Sequence, residues 1–383
     1  MFRKKILLVK FGFFSLLIIC LGLFISLDIS TADTDSPLPG NNQELIYDIN
    51  NEQIIMFGGD LSGGTEADLK ATWFFSSYNQ TWRKLSGIIS PEGRSQHRMA
   101  YNTLTGKILL FGGNSLTALA QFNDTWEFDP LTNQWTELHP TTAPSARAAH
   151  TMYYDSEFNE VILYAGAINF STVSNEMWAY NFSTNNWYQL HPSGGPGAGY
   201  GHSFAYDEAN KVGVFFGGRF TDGHLINDVW FFNRSSITWT KKYPIVKPME
   251  RYHLGMTFNP IDETFIVFGG DNENLPNRAM DDTWIYNPRT NTWAEVQSTL
   301  NPPARCKHKM VFDQHHNKAI LFGGIGESFS VNYNDLWIFG PITMSWSQEF
   351  TVMAPLSIWL VLFNFTSIVI VIHLLKSRFK RWV

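Results

Sequence analysis

Residues 107–138 read KILLFGGNSLTALAQFNDTWEFDPLTNQWTEL, and this stretch contains the pattern that decides the fold. An apolar run ends in two glycines, a polar loop follows, and Trp126 then begins a segment in which Phe128 lies two residues further on. A short Asp-Pro-Leu-Thr-Asn link leads to a second tryptophan, Trp135. Side chains that alternate in this way are typical of β-strands. The link is typical of a turn between antiparallel strands.

This pattern occurs six times along the chain. The first tryptophans of successive copies are separated by 53, 52, 52, 54 and 53 residues, and a second tryptophan follows each of them by nine. The first set is Trp73, Trp126, Trp178, Trp230, Trp284 and Trp337, and the second set is Trp82, Trp135, Trp187, Trp239, Trp293 and Trp346. A repeat of about 50 residues predicts a propeller or an array.

Paired glycines close the apolar run in five copies, at Gly58-Gly59, Gly112-Gly113, Gly217-Gly218, Gly269-Gly270 and Gly323-Gly324. The third copy has Tyr164-Ala165-Gly166 and has lost one glycine. Glycine permits positive φ and a close approach of the backbone, as a crowded centre requires. Four strands per copy and six copies predict an all-β fold of six radial sheets around a channel.

The double glycine, the later tryptophan and the aromatic residue after it make the chain similar to the kelch-repeat β-propeller family. The resemblance covers about residues 45–352 and implies a six-bladed kelch-type propeller. It does not decide the function, because kelch propellers include enzymes as well as binding modules.

The two ends of the chain predict membrane segments. Residues 1–32 have a basic start and an apolar run, and they read as a signal peptide or an N-terminal anchor, with a linker at 33–44. Residues 354–375 are apolar and long enough for a transmembrane helix, and a basic tail follows at 376–383. Because basic residues flank the cytoplasmic side of a span, we predict an extracellular propeller at the cell membrane. The protein is then single-pass, or two-pass if the N-terminal segment is retained.

Composition excludes several classes of function. The 28 Lys+Arg and 34 Asp+Glu residues give a net charge of −6, which argues against a nucleic-acid partner held by a basic surface. Cys20 and Cys306 are the only cysteines in the sequence, so a disulfide scaffold and a cysteine zinc site are excluded.

The ligand site is predicted on one face of the propeller. Antiparallel order places the long loops between strands 2 and 3 on the same face as those between successive blades, and variable loops on a rigid scaffold build binding sites. The candidate ligand-binding residues are Arg94, Arg147, Arg251 and Arg305, which recur before strand 1, and Arg219, His224 and Arg278 in the loops. Guanidinium groups suit a carboxylate or an acidic peptide. The alternative is that the recurring arginines bond loop carbonyls and tie blades together.

Histidines recur beside these arginines, at His97, His150, His202, His253 and His308. Because they lie on different blades they diverge around the axis, whereas zinc needs three or four convergent ligands. We therefore interpret them as structural histidines, and we predict no metal, no cofactor and no catalytic residue.

The sequence favours a membrane-anchored extracellular binding module that recognises a protein or glycan partner at the cell surface. The alternative is a cell-surface enzyme that is carbohydrate-active or similar to galactose oxidase. Galactose oxidase, a kelch-type copper enzyme, requires a tyrosine cross-linked to a cysteine. Cys306 is the candidate thiol, and no copper ligand set can be assigned to it from the sequence.

Overall fold

The computed structural model describes residues 36–85, 89–118, 120–168 and 172–349. The predicted signal or anchor segment (1–32), transmembrane helix (354–375) and basic tail (376–383) lie outside these described residues. Within the described part of the chain, no helix is long and apolar enough to cross a membrane.

The described strands form six four-stranded antiparallel sheets, here called blades 1 to 6, and three two-stranded sheets: Gly40–Asn41 with Asp60–Leu61, Arg94–Ser95 with Asn114–Ser115, and Gly199–Tyr200 with Arg219–Phe220. Blade 1 contains Glu44–Asp48, Gln53–Phe57, Thr72–Ser76 and Thr81–Leu85. Blade 2 contains Arg98–Asn102, Lys107–Phe111, Thr125–Asp129 and Gln134–Leu138. Blade 3 contains Thr151–Asp155, Glu160–Ile168, Thr172–Asn181 and Asn186–Leu190.

The remaining three blades have the same organisation. Blade 4 contains Ser203–Asp207, Val212–Phe216, Val229–Asn233 and Thr238–Lys242. Blade 5 contains Gly255–Asn259, Thr264–Asp271, Ala279–Asn287 and Thr292–Glu295. Blade 6 contains Lys309–Asp313, Lys318–Phe322, Leu336–Gly340 and Ser345–Glu349. The short helices are Glu66–Leu69 and the 3₁₀ turn Glu327–Phe329.

The blades form a closed ring. Spatial order within each sheet follows chain order, and strand 1 of every blade contacts strand 1 of the next, including blade 6 against blade 1. Strand 1 is therefore innermost and strand 4 outermost. The prediction of an all-β, six-bladed propeller is confirmed.

A circle of backbone hydrogen bonds surrounds the channel where strand 1 of each blade begins. Its six members, here called the mouth ring, each lie two residues before strand 1 and have positive φ: Asn42, Gln96, Ala149, Gly201, His253 and Lys307. Each N–H donates to the carbonyl of the member in the preceding blade. The N···O distances are Asn42 to Lys307 2.9 Å, Gln96 to Asn42 3.0 Å, Ala149 to Gln96 3.0 Å, Gly201 to Ala149 3.4 Å, His253 to Gly201 2.6 Å and Lys307 to His253 2.8 Å.

Aromatic contacts join neighbouring blades outside this ring. In every blade, the second tryptophan packs on the aromatic residue that precedes the glycine position of the preceding blade. The ring centroids of Trp135 and Phe57 are 5.1 Å apart, and those of Trp82 and Phe322 are 4.9 Å apart. The second of these pairs joins blade 1 to blade 6, so one repeated contact also closes the circle. Burial of such large rings contributes heavily to stability.

The glycine pairs allow the next blade to approach. The second glycine donates its N–H to the carbonyl of the residue that begins the following repeat, as Gly270 does to Arg305 over 3.0 Å. A Cβ on Gly269 would lie 2.6 Å from the Arg305 oxygen and 2.9 Å from the Met280 oxygen. In blade 3, Ala165 takes the same position with φ of 64°, and the following blade carries Gly199 in place of an arginine.

The N-terminal part of the described chain belongs to this ring. Gly40–Asn41 pairs with Asp60–Leu61, and Gly40 accepts a hydrogen bond from the Gly324 N–H over 2.8 Å. Residues 40–44, which the sequence analysis placed in a linker, thus contribute to closure between blades 1 and 6.

Gly269→Ala is expected to destabilise the propeller. Its φ of 55° is unfavourable for alanine, by roughly 1–2 kcal/mol, and the clash with two carbonyl oxygens adds to this. The matched control is Ala165→Gly, where φ is similar and the change should stay within about 1 kcal/mol. Urea unfolding of both variants measures the difference, and equal losses would contradict the close-approach argument.

Candidate functional site

The four recurring arginines are buried inside the blades. Arg94, Arg147, Arg251 and Arg305 have 0% of their side-chain surface exposed. In each, Nε donates to the carbonyl two residues earlier and Nη1 donates to the carbonyl at the first glycine position of the same blade. For Arg251 these carbonyls belong to Met249 and Gly269, each 3.0 Å away.

Each of these arginines also pairs with a carboxylate two residues before the first tryptophan of its blade, which lies immediately before strand 3 in blades 2 and 6 and within the longer strand 3 of blades 3 and 5. The carboxylates are Asp124, Glu176, Asp282 and Asp335, at 2.5–2.7 Å. The same carboxylate accepts a hydrogen bond from the first tryptophan of its blade, as Asp282 does from Trp284 over 2.7 Å. Burial acts to raise the pKa of Asp282, but the Arg251 guanidinium and Trp284 outweigh it, so this pKa lies below its ordinary value.

This geometry corrects the predicted ligand role of Arg94, Arg147, Arg251 and Arg305. Their guanidinium groups have no exposed surface, and they join three segments of one blade: the entry loop, the end of strand 2 and the start of strand 3. The preceding blade is reached by their backbone groups: the carbonyl in all four, and the N–H as well in Arg147, Arg251 and Arg305. The sequence contained a signal for this role, because an acid stands two residues before the first tryptophan in all four repeats that carry the arginine.

Two of the predicted loop residues do meet on the surface. Arg219 follows strand 2 of blade 4 and Arg278 precedes strand 3 of blade 5, and both approach Glu273. Arg219 Nε lies 2.9 Å from Glu273 Oε1, and Arg278 Nη2 lies 3.6 Å from it. The Tyr252 hydroxyl donates to the same oxygen over 3.0 Å and accepts from Arg278 over 2.8 Å.

Neighbouring groups extend this site toward blade 6. The Arg278 guanidinium lies over the Phe329 ring at 4.7 Å, and Lys307 Nζ lies 4.9 Å from the same ring. We call the set of Arg219, Tyr252, Glu273, Arg278, Lys307 and Phe329 the mouth cluster. It adjoins the mouth ring, since Lys307 is a ring member and Tyr252 precedes His253.

The mouth cluster is accessible and its backbone is strained. The side chains of Arg219, Arg278 and Glu273 are 29–34% exposed, and Phe329 is 38% exposed. Lys307, Arg278 and Phe329 all have φ between 56° and 60°. Left-handed backbone at residues other than glycine is costly and is concentrated at functional sites.

The charges of the mouth cluster are fixed near neutral pH. Hydrogen bonding to buried Asp271 raises the pKa of Arg278. Burial acts to raise the pKa of Glu273, but Tyr252 and Arg219 outweigh it and lower this pKa. Burial, followed by Asp271, raises the pKa of Tyr252. Each pKa moves away from neutrality, so the cluster suits recognition by constant charge rather than proton transfer.

His224, the remaining predicted residue, lies outside the cluster. It stacks on Phe220 with centroids 5.3 Å apart and pairs with Asp222 at an exposed loop tip. The other members of the cluster, Tyr252, Glu273, Lys307 and Phe329, are not among the residues predicted for the ligand site, because no pattern in the sequence links the loops of different blades that carry them.

Comparison with known proteins agrees with this architecture. The KLHDC2/KLHL20/DRC7 kelch-repeats domain matches residues 26–199 and 159–356. The chain belongs to the kelch-repeat family. It is 25% identical over 244 residues to Kelch domain-containing protein 3 of Homo sapiens, covering 58% of this chain and 61% of that protein. It is 27% identical over 173 residues to Kelch domain-containing protein 1 of Homo sapiens, covering 43% of this chain and 41% of that protein.

The kelch propeller holds its recurring histidines between blades. His97, His150, His202 and His308 immediately precede strand 1, and each ring packs on the aromatic residue before the glycine position of the preceding blade. Gln43 and Leu254 take this place in blades 1 and 5, and His253 instead belongs to the mouth ring. Among the described residues, neither ring nitrogen of His97, His150 or His308 has a hydrogen-bond partner.

Two observations bear on the enzyme alternatives. Cys306 is buried, and burial raises the pKa of its thiol to about 12. Within the described residues, no group of three or more histidine, cysteine, aspartate or glutamate side chains is placed to hold a metal ion.

His150→Leu is expected to reduce the sensitivity of the propeller to acid. Burial lowers the pKa of His150 well below 6.5, so the unfolded chain binds more protons once the pH falls below about 6.5. Below that pH, the free energy of unfolding falls by up to about 1.4 kcal/mol for each unit of decreasing pH and for each such histidine. Leu254→His is the reciprocal variant and should add the same sensitivity. Urea unfolding at pH 7.5 and pH 5 checks both, and unchanged pH dependence would refute the argument.

Proposed function

We propose that this kelch propeller is a protein-binding module that docks an acidic segment of its partner on the mouth cluster. The observation that carries the proposal is the convergence of Arg219 and Arg278 beside Phe329 on an accessible, strained surface. Kelch-domain proteins generally bind protein partners, which supports the same class of function.

Both guanidinium groups keep donors for a ligand. Arg219 uses Nε for Glu273 and Nη1 for Tyr200, while Arg278 uses Nε and Nη2 for Asp271 and Tyr252. Among the described residues, no acceptor is bonded to Nη2 of Arg219 or Nη1 of Arg278. An arginine held by neighbouring groups loses little side-chain freedom when it binds a carboxylate, because its geometry is already fixed.

Phe329 supplies an apolar contact beside these charges. Arginine and aromatic residues are enriched among the side chains that contribute most to protein interfaces. The preferred partner therefore has acidic and apolar side chains close together. A surface glycan is the other partner class, and the experiment below separates the two.

We further infer that the protein is membrane-anchored with its propeller outside the cell. The apolar run at 354–375 and the basic residues at 376–383 support this placement. The last described strand, Ser345–Glu349, ends on the face that carries the long loops, because in every blade the entry loop pairs with the loop between strands 2 and 3. The mouth cluster lies on this face, so we expect partners close to the bilayer.

Arg219→Ala and Phe329→Ala are expected to weaken partner binding at least about tenfold, which corresponds to roughly 1.4 kcal/mol. Both side chains are partly exposed, so folding should be retained. Arg278 is not used, because its removal leaves buried Asp271 without its arginine. Proximity labelling on cells that express the full chain identifies partners, and binding measurements on those partners quantify the loss.

The control for this experiment is Arg289→Ala. Arg289 lies in the turn between strands 3 and 4 of blade 5, on the opposite face, and its side chain is 61% exposed. This variant should label the same partners as the wild type. If Arg219→Ala and Phe329→Ala also do so, the docking site is elsewhere. If enzymatic removal of surface glycans abolishes labelling, the partner is a glycan.

Protease treatment of intact cells tests the membrane placement. A full chain with a tag after residue 383 should lose its propeller to external protease, keep its tag and resist alkaline carbonate extraction. A chain truncated after residue 350 should lose its C-terminal attachment, and it is released if the N-terminal segment is cleaved. Digestion of the tag in intact cells, or carbonate release of the full chain, would contradict the placement.

A further inference from the structure

Below the mouth ring, the channel is lined by the first residue of strand 1 in each blade. These residues are Glu44, Arg98, Thr151, Ser203, Gly255 and Lys309, and all six line one cavity of about 70 Å³. A cavity needs roughly 10–15 Å³ to hold one water molecule, so this one is large enough for waters or a small ion. The tryptophan positions keep their residue type from blade to blade, as do the glycine positions apart from Ala165, whereas the residue type at this position differs in every blade.

Charge is concentrated on one side of this cavity. Glu44 Oε2 accepts from Arg98 Nη1 over 2.9 Å and lies 3.0 Å from Lys309 Nζ. The three side chains are only 11–18% exposed and come from blades 1, 2 and 6, which are adjacent in the ring. The other side of the cavity carries the small residues Thr151, Ser203 and Gly255, which leave room in the channel.

The single carboxylate does not balance the two cations. Of the residues that line the cavity, Glu44 is the only acid. Burial, followed by the charge of Arg98, lowers the pKa of Lys309 to about 8, although Glu44 acts in the opposite direction. The Arg98 charge, after burial, also contributes to lowering the pKa of His150, His202 and His253. The excess of positive charge therefore acts on titratable groups in several blades.

Both cations retain donors that the described residues do not use. The Lys309 ammonium has three N–H groups, and one is directed at Glu44. Arg98 donates through Nη1 to Glu44 and to the carbonyl of His97, while its Nε and Nη2 have no acceptor among the described residues. The pocket at the mouth ring shares Arg98, His202, Leu254 and Lys309 with the cavity, so the two spaces adjoin along the channel.

We propose that the channel cavity binds one small monovalent anion, a halide or a carboxylate of formate size, between Lys309 and Arg98. Glu44, Arg98 and Lys309 together carry a net charge of +1, which one monovalent anion neutralises. This site is separate from the mouth cluster, and it does not depend on the proposed docking of a partner.

Thermal unfolding of the full chain tests the proposal at constant ionic strength. Sodium gluconate, whose bulky six-carbon anion serves as the reference, is replaced stepwise by sodium chloride, sodium formate or sodium sulfate. Chloride or formate should raise Tm by about 2–4 °C, because a ligand that binds only the folded state stabilises it. A response to chloride alone assigns a halide, and a response to formate alone assigns a carboxylate. Sulfate stabilises folded proteins generally, because it is excluded from their surface, so any rise it causes should be equal in the wild type and in Lys309→Met.

Three variants make the test specific. Lys309→Met leaves one cation paired with one carboxylate, and it should abolish the response. Glu44→Gln leaves two cations without a carboxylate, and at pH 6, where losing the effect of Glu44 on the pKa of Lys309 matters least, it should lower the half-saturating anion concentration about tenfold. The matched control, Lys318→Met, removes a lysine of the same blade at the start of strand 2 and should respond like the wild type.

Crystals of the wild-type protein grown in bromide provide a readout that does not depend on variant folding. An anomalous peak between Lys309 and Arg98 is expected if a halide binds. The proposal is overturned if neither chloride nor formate raises Tm, or if Lys309→Met responds like the wild type. A chloride response without a bromide peak at this position overturns it as well.

Discussion

Six peptide groups at the channel mouth bond in a circle, and the arrangement of the blades depends on that circle. Each member adopts left-handed backbone, and five of the six are not glycine, which costs roughly 1–3 kcal/mol per residue. An unsatisfied buried peptide group costs about as much. The conformation is therefore retained because it directs each N–H toward the carbonyl of the preceding blade. The members are asparagine, glutamine, alanine, glycine, histidine and lysine, so the constraint acts on the backbone and leaves the side chains free to vary.

Closure between blades 6 and 1 uses contacts that recur between the other blades. Trp82 packs on Phe322, the Gly324 N–H reaches the Gly40 carbonyl, and the Asn42 N–H reaches the Lys307 carbonyl. All four described strands of blade 6 come from the last repeat, so within residues 36–349 no strand is exchanged between the first and last blades. The ring is held by packing and backbone hydrogen bonds that involve residues 40–44, and this explains why these residues cannot act as a free linker.

The fold could be predicted from the sequence because its determinants repeat in register. Tryptophan and glycine positions mark strands whose partners lie in the same or the adjacent repeat, so spacing alone locates them. The role of the recurring arginines was harder to predict, since Arg251 pairs with Asp282 about thirty residues later, across a long loop. The mouth ring has no side-chain signature. The mouth cluster joins loops of different blades, and no periodicity connects Arg219 with Phe329. Relative to strand 1, His253 lies one residue before the position of the other recurring histidines. The sequence does not locate the start of strand 1 to the residue, so His253 was grouped with them.

Where the repeat is broken, side chains become available for recognition. Blade 4 has Gly199 in place of the buried arginine, and its Asp228 pairs with Lys241 instead of with a guanidinium. At the same edge Gly199–Tyr200 pairs with Arg219–Phe220, which positions Arg219 to reach Glu273 in the next blade. The channel follows the same rule, since Glu44, Arg98 and Lys309 occupy one position that differs in every blade. Residues that repeat stabilise the ring, whereas positions that vary between blades carry the charges that a ligand can use.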